Sequence, residues 1–154
     1  MSVGKMLGIM FIAGFTIMQL IPIQRNNPKT DSSLEIKAAT NVKAIFKRSC
    51  YDCHSNETKW PWYSNIAPMK WFIARDVDVG RQWLNFSVWE SYDEKKKKKL
   101  KKMIFTAIEL AMPLGMYLQA HPEAKLSTKD RETIRSWTGL TLEDVINNPR
   151  GRLY

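Results

Sequence analysis

A chain of 154 residues has room for one domain of ordinary size plus an anchor or tail. Hydrophobic content of 44% beside 25% charged residues excludes wholesale disorder, and seven Gly and seven Pro exclude a fibrous or low-complexity chain. The net charge of +9 suits an acidic protein partner or anionic headgroups; without a helix-turn-helix, RNA-binding signature or zinc finger, no nucleic-acid partner is expected, and two cysteines exclude a disulfide scaffold.

In chain order, the run MLGIMFIAGFTIMQLIPI at residues 6–23 carries no charge. As a helix it spans roughly 27 Å, just enough for a bilayer core. Small residues of a cleavage site are missing after it, since Ile21, Pro22, Ile23 and Gln24 follow the apolar stretch. Residues 1–23 therefore read as an uncleaved signal anchor, and the polar residues 24–33, with Pro28, as a linker. The body is expected over residues 34–154. Asp31, Ser32 and Ser33 form a start signal for a helix whose stripe runs through Leu34, Ile36, Val42, Ile45 and Phe46 to Cys50.

Residues 60–89 hold five of the six tryptophans. Pro68 suits the first turn of a helix through Trp71, Phe72 and Val77, with Gly80 interrupting or ending it. Ser87 to Glu90 has a capping-box pattern and is expected to open a long helix with Leu100, Met103, Ile104, Ala107 and Ile108 on one face. That helix should stop before Pro113. Ser127 to Asp130 is a second capping box, Gly139 ends the helix that follows, and Thr141 caps one more short turn. Period-two alternation is missing throughout, so the fold class is all-α.

The chemistry sits in Cys50-Tyr51-Asp52-Cys53-His54, a C-x-x-C-H attachment pattern for c-type haem. Residues three apart lie about one helical turn apart, so both sulfurs reach the two vinyl groups of a porphyrin while the next residue offers an imidazole to iron. A thioredoxin-like pair requires a βαβ setting that is missing, and a disulfide between Cys50 and Cys53 closes a tiny loop and stabilises little. A zinc site on the cysteines, His54 or His121 and a carboxylate stays open as an alternative, weakened by the adjacency of Cys53 and His54.

The run CYDCHSNETKWPWYSNIAPMKWFIARDVDVGRQWLNFSVWESY and the later MPLGMYLQAHPEAKLSTKDRETIRSW resemble the bacterial haem-binding domain family, over roughly residues 34–138. The resemblance implies covalent haem c and a cytochrome-c-like helical fold, often behind one membrane helix.

With His54 as proximal ligand, Met112 ranks first for the distal position. It precedes a proline on a loop well after the haem motif, where the long helix breaks; His121 and Met116 follow it. Met103 falls on the apolar stripe and reads as core. Trp60, Trp62 and Tyr63, soon after His54, are expected to touch the porphyrin. The lysines 95–99, 101 and 102 read first as a solvated helix face and second as a docking patch for an acidic redox partner.

These features lead to a monohaem c-type cytochrome, not an enzyme, carrying electrons on the periplasmic side of the cytoplasmic membrane. The alternative is a haem-based sensor or ligand-binding domain with an open or labile sixth iron site.

Overall fold

The computed structural model describes residues 1–146, so the tail of the expected body, residues 147–154, lies outside the described residues. Among the described residues every regular element is helical. Helix α1, Val3–Leu20, has none of its residues buried, meets the body only near its C-terminal end, and is long and apolar enough to cross a membrane.

The body is built from α2 (Thr40–Ser49), α3 (Tyr51–His54), α4 (Met69–Trp83), α5 (Glu94–Leu110), α6 (Gly115–Ala120), α7 (Thr128–Thr138) and α8 (Leu142–Ile146). Helix α3 packs on α4, and α7 packs on both α2 and α5. The core between them is aromatic. Phe86 stacks on Phe46 at 4.6 Å and on Tyr51 at 5.4 Å between ring centroids, and Trp137 meets Phe46 edge-on at 5.1 Å. Phe46, Phe86 and Phe105 are essentially fully buried, each worth roughly 1.5–3 kcal/mol of apolar burial. The Tyr51 hydroxyl donates to Glu35 at 2.9 Å, so burying this ring strands no polar atom.

Several sequence signals land as expected. Ser127 and Asp130 form a reciprocal capping box at the start of α7, and Gly139 ends it in the left-handed conformation at φ 69°. Thr141 and Asp144 cap the start of α8 in the same reciprocal way.

Two helix starts differ. Asp31 caps a single 3-10 turn, Ser32–Leu34, and α2 begins only at Thr40. Between them the chain is extended, because Ile36 donates its N–H to Phe86 O at 2.9 Å while its side chain enters the core. Ser87 likewise opens no long helix. Its hydroxyl accepts the N–H of Asn56 at 2.9 Å, and the Glu90 carboxylate pairs with Lys97 at 3.0 Å, so both halves of the expected box are engaged elsewhere. A 3-10 segment, Phe86–Ser91, results, and Asp93 caps α5 by accepting from Lys96 N at 2.6 Å. Gly80 neither interrupts nor ends α4; it lies inside the helix, three residues before its end.

Along α5, Lys95, Lys96, Lys98 and Lys99 are exposed, while Lys97 pairs with Glu90 and Glu94. The lysine run is a solvated helix face.

Candidate haem site

Helix α2 ends at Ser49, Cys50 breaks the helical backbone, and one new turn carries Tyr51 to His54. The N–H groups of Cys53 and His54 both donate to Cys50 O, at 3.2 and 2.9 Å. The five-residue motif is thus a hydrogen-bonded turn that puts both sulfurs and the imidazole on one cavity of about 370 Å³.

The two thiols are free and half-buried. Burial, reinforced by the neighbouring Cys53, pushes the Cys50 thiol up to about 12; burial and the Asp52 charge push Cys53 up to about 11. Both are neutral thiols at ordinary pH.

The His54 ring is set by α4. Nδ1 lies 3.0 Å from Gly80 O and 3.2 Å from Leu84 O, two carbonyls that can only accept. The proton therefore sits on Nδ1, and Nε2 keeps its lone pair. Burial holds the imidazole below its ordinary pKa, against the pull of the Leu84 and Gly80 carbonyls, so the ring is neutral and suited to a metal.

Gly80 makes this approach possible. A Cβ there would stand 2.5 Å from Cys53 O and 3.1 Å from its carbonyl carbon. Only a residue without a side chain lets α4 come close enough to offer its carbonyls to His54.

Asp52 anchors the turn. Its carboxylate accepts from Lys59 N at 3.0 Å and from the Tyr117 hydroxyl at 2.8 Å, and its backbone carbonyl accepts from Thr58 Oγ1 at 2.7 Å. Burial and the Asp52 carboxylate raise the Tyr117 pKa, so the phenol stays a donor. Arg81 donates to Ser55 O and Thr58 Oγ1, each at 2.8 Å, which fixes the chain just after the motif to α4.

The cavity is also lined by the α5 stripe of Leu100, Met103, Ile104, Ala107 and Ile108, followed by Met112, Pro113 and Leu114. Met112, two residues beyond the end of α5, is held by its N–H to Ala107 O at 2.8 Å, and the Met112–Pro113 bond is cis. Met112 lines the cavity together with Cys50, Cys53 and His54.

The rival distal ligands lie elsewhere. Met116 is 71% exposed and off the cavity wall. His121 meets the Tyr63 hydroxyl through Nε2 at 2.8 Å and Glu123 through Nδ1 at 3.1 Å, and stacks on Tyr117 at 4.4 Å.

Trp60, Trp62 and Tyr63 do not line the cavity: Trp62 is 75% exposed, and Tyr63 is turned toward His121. The reason is the tight turn after His54, pinned by Asp52 and Arg81, which leads the chain away from the cavity. The aromatic walls are Trp83, Phe86 and Tyr117. A sequence signal for Trp83 existed, since Asp76, Gly80 and Trp83 lie at helical spacing on one face of α4. Met103, read from sequence as core, packs against the core cluster and also lines the cavity.

The walls fit a haem. They are almost wholly apolar, with the neutral His54 imidazole and the thioethers of Met103 and Met112 among the lining residues. Val79, Trp83 and Leu114 expose 38–44% of their surface at the rim, a footing for a large flat apolar group. Among the described residues no three His, Cys, Asp or Glu side chains cluster as metal ligands, which leaves the zinc alternative without a ligand set.

Comparison with curated proteins and with solved structures finds no match. A family model described as a haem-binding domain matches residues 13–139, which is most of the chain and includes every residue of the cavity wall; the chain belongs to the haem-binding domain family.

Proposed function

We propose that this chain is a membrane-anchored monohaem c-type cytochrome that carries electrons on the periplasmic side of the cytoplasmic membrane. Cys50 and Cys53 hold the haem as thioethers, His54 is the proximal ligand and Met112 the distal one. The observation that carries the reading is the convergence of these four side chains on one apolar cavity, with the His54 proton fixed on Nδ1 by two α4 carbonyls.

Cys50 and Cys53 would hold the haem covalently through thioether links, for which their neutral thiols on the cavity wall are placed. The Gly80 and Leu84 carbonyls raise the basicity of Nε2 by accepting from Nδ1–H. When bound, haem would supply a one-electron iron couple, and Met112 as a thioether ligand would favour the reduced metal and a higher potential. The apolar α5 wall keeps water from the metal and lowers the local dielectric, which acts in the same direction. Helix α1 supplies the tether, and the periplasmic side is where covalent haem attachment takes place in bacteria.

The test is protein produced with a haem-maturation system. Haem stain should stay with the polypeptide through acid–acetone extraction and denaturing electrophoresis, and be lost in Cys50→Ala/Cys53→Ala. The reduced wild type should not bind carbon monoxide. Extractable haem refutes covalent attachment. A carbon monoxide complex in the wild type replaces the electron-carrier reading with that of a sensor with an open sixth site.

A further inference from the structure

The junction between α1 and the body is a built clamp. Lys70 is only 5% exposed, and its ammonium donates to Gln19 O at 2.9 Å and Ile21 O at 2.7 Å. These carbonyls lie at the C-terminal end of α1, where helical partners run out and the helix dipole favours a cation. The Gln19 side chain accepts from Ala67 N at 2.8 Å, and Arg25 donates to both oxygens of Ser64 at 3.0 Å. Ser64, Ala67 and Lys70 are thus three buried anchorage points for the chain leaving α1.

Interleaved with them in the same segment are three exposed apolar side chains. Trp62, Ile66 and Phe72 are 75%, 39% and 55% exposed, each within two residues of a clamp residue. Leu20 and Ile21, at the end of α1 that the clamp holds, are exposed as well. Exposed apolar residues scattered singly need no explanation, but a strip beside a membrane-length helix does. An indole on such a strip matches the bilayer interface, where its apolar body enters the acyl region and its N–H stays among headgroups.

We propose that Trp62, Ile66 and Phe72 rest in the headgroup–acyl boundary of the bilayer that α1 crosses, so that the haem domain lies on the membrane in one fixed orientation. This rests on the reading of α1 as a membrane anchor. The clamp is what makes the strip effective: a freely swinging linker would have to lose its orientational freedom on each contact, whereas Lys70, Gln19 and Arg25 have already removed it. The Pro-containing linker after Arg25 is also tied back, because Arg81 donates to Asn26 O and Asn27 Oδ1 at 2.9 and 2.8 Å.

The experiment uses full-length haem-loaded protein in phosphatidylcholine–phosphatidylglycerol nanodiscs doped with a phosphatidylcholine carrying a diazirine high in its acyl chain. After photolysis, labelled peptides are mapped by mass spectrometry. Label is expected on α1 and on residues 60–72, the latter several-fold above peptides of α7, and falling to the α7 level in Trp62→Ser/Ile66→Ser/Phe72→Ser. The three positions are exposed, so an unchanged haem spectrum certifies the variant's fold. Label on α1 with residues 60–72 at the α7 level overturns the proposal and leaves the anchor standing. An unlabelled α1 overturns the anchor reading itself. Two chains per detergent micelle, reverting to one in the triple variant, with no lipid label on the strip, assign it to a second copy instead.

Discussion

Gly80→Ala separates the two contributions that a helical glycine makes. On an exposed helix the change stabilises by about 1 kcal/mol, because alanine has the better helix propensity. Here the new Cβ stands 2.5 Å from Cys53 O, against roughly 3.5 Å for an ordinary contact, so α4 must withdraw from α3 by about 1 Å. Overpacking of that kind costs about 1–3 kcal/mol. The same displacement lengthens the 3.0 and 3.2 Å contacts that orient His54, a loss of about 1 kcal/mol. The balance is a net destabilisation of about 1–3 kcal/mol. Urea unfolding of the haem-loaded protein by circular dichroism measures the stability, and the reduced absorption spectrum reads the proposed ligation by His54. Gly139→Ala is the control: its φ of 69° predicts a loss of about 1 kcal/mol with the spectrum unchanged. A Gly80→Ala protein that is more stable than wild type, with the wild-type spectrum, would refute the close-approach argument.

Met112→Ala should abolish the near-infrared charge-transfer band of a histidine–methionine haem and admit carbon monoxide, while His121→Ala and Met103→Leu keep the band; near-infrared absorption of the oxidised proteins decides. Burial alone would push the Glu35 carboxyl up, but hydrogen bonds from Lys43 and Tyr51 and the Lys47 charge outweigh it and hold it below its usual value near 4.5. Its contribution, on the order of 1 kcal/mol, is therefore complete above that value and lost as pH falls through the depressed one. The stability difference between wild type and Glu35→Gln, from urea melts across acidic pH, should shrink over that window; a difference independent of pH refutes it. Alkaline carbonate should leave the protein in the membrane pellet, and a periplasm-dependent reporter fused to the C-terminus should be active. Release by carbonate removes the anchor, and a silent reporter reverses the topology.

Local chemistry was legible in the amino-acid order wherever neighbours in sequence are the physical partners. The apolar run of α1, the capping box at Ser127, the left-handed stop at Gly139 and the spacing of Cys50, Cys53 and His54 all belong to this kind. So does the all-helical class. Ser87 and Asp31 were misleading for the opposite reason: hydroxyls and carboxylates bond whichever donor arrives, and folding brought Asn56 N to Ser87 and left Asp31 capping one turn.

Which apolar and aromatic side chains face the cavity was decided largely by tertiary structure. A stripe of Leu100, Met103 and Ile104 is the same pattern whether a helix faces a packed core or a cofactor, because hydrophobic spacing reports burial and not what is buried against. Nearness in sequence to His54 suggested Trp60, Trp62 and Tyr63, yet the turn pinned by Asp52 and Arg81 carries them off, and Trp83 arrives from the far end of α4. Gly80 is the sharpest case. As a letter it read as a helix break; only the packing of α4 against Cys53 shows that a missing side chain there sets the distance at which two carbonyls can hold the imidazole.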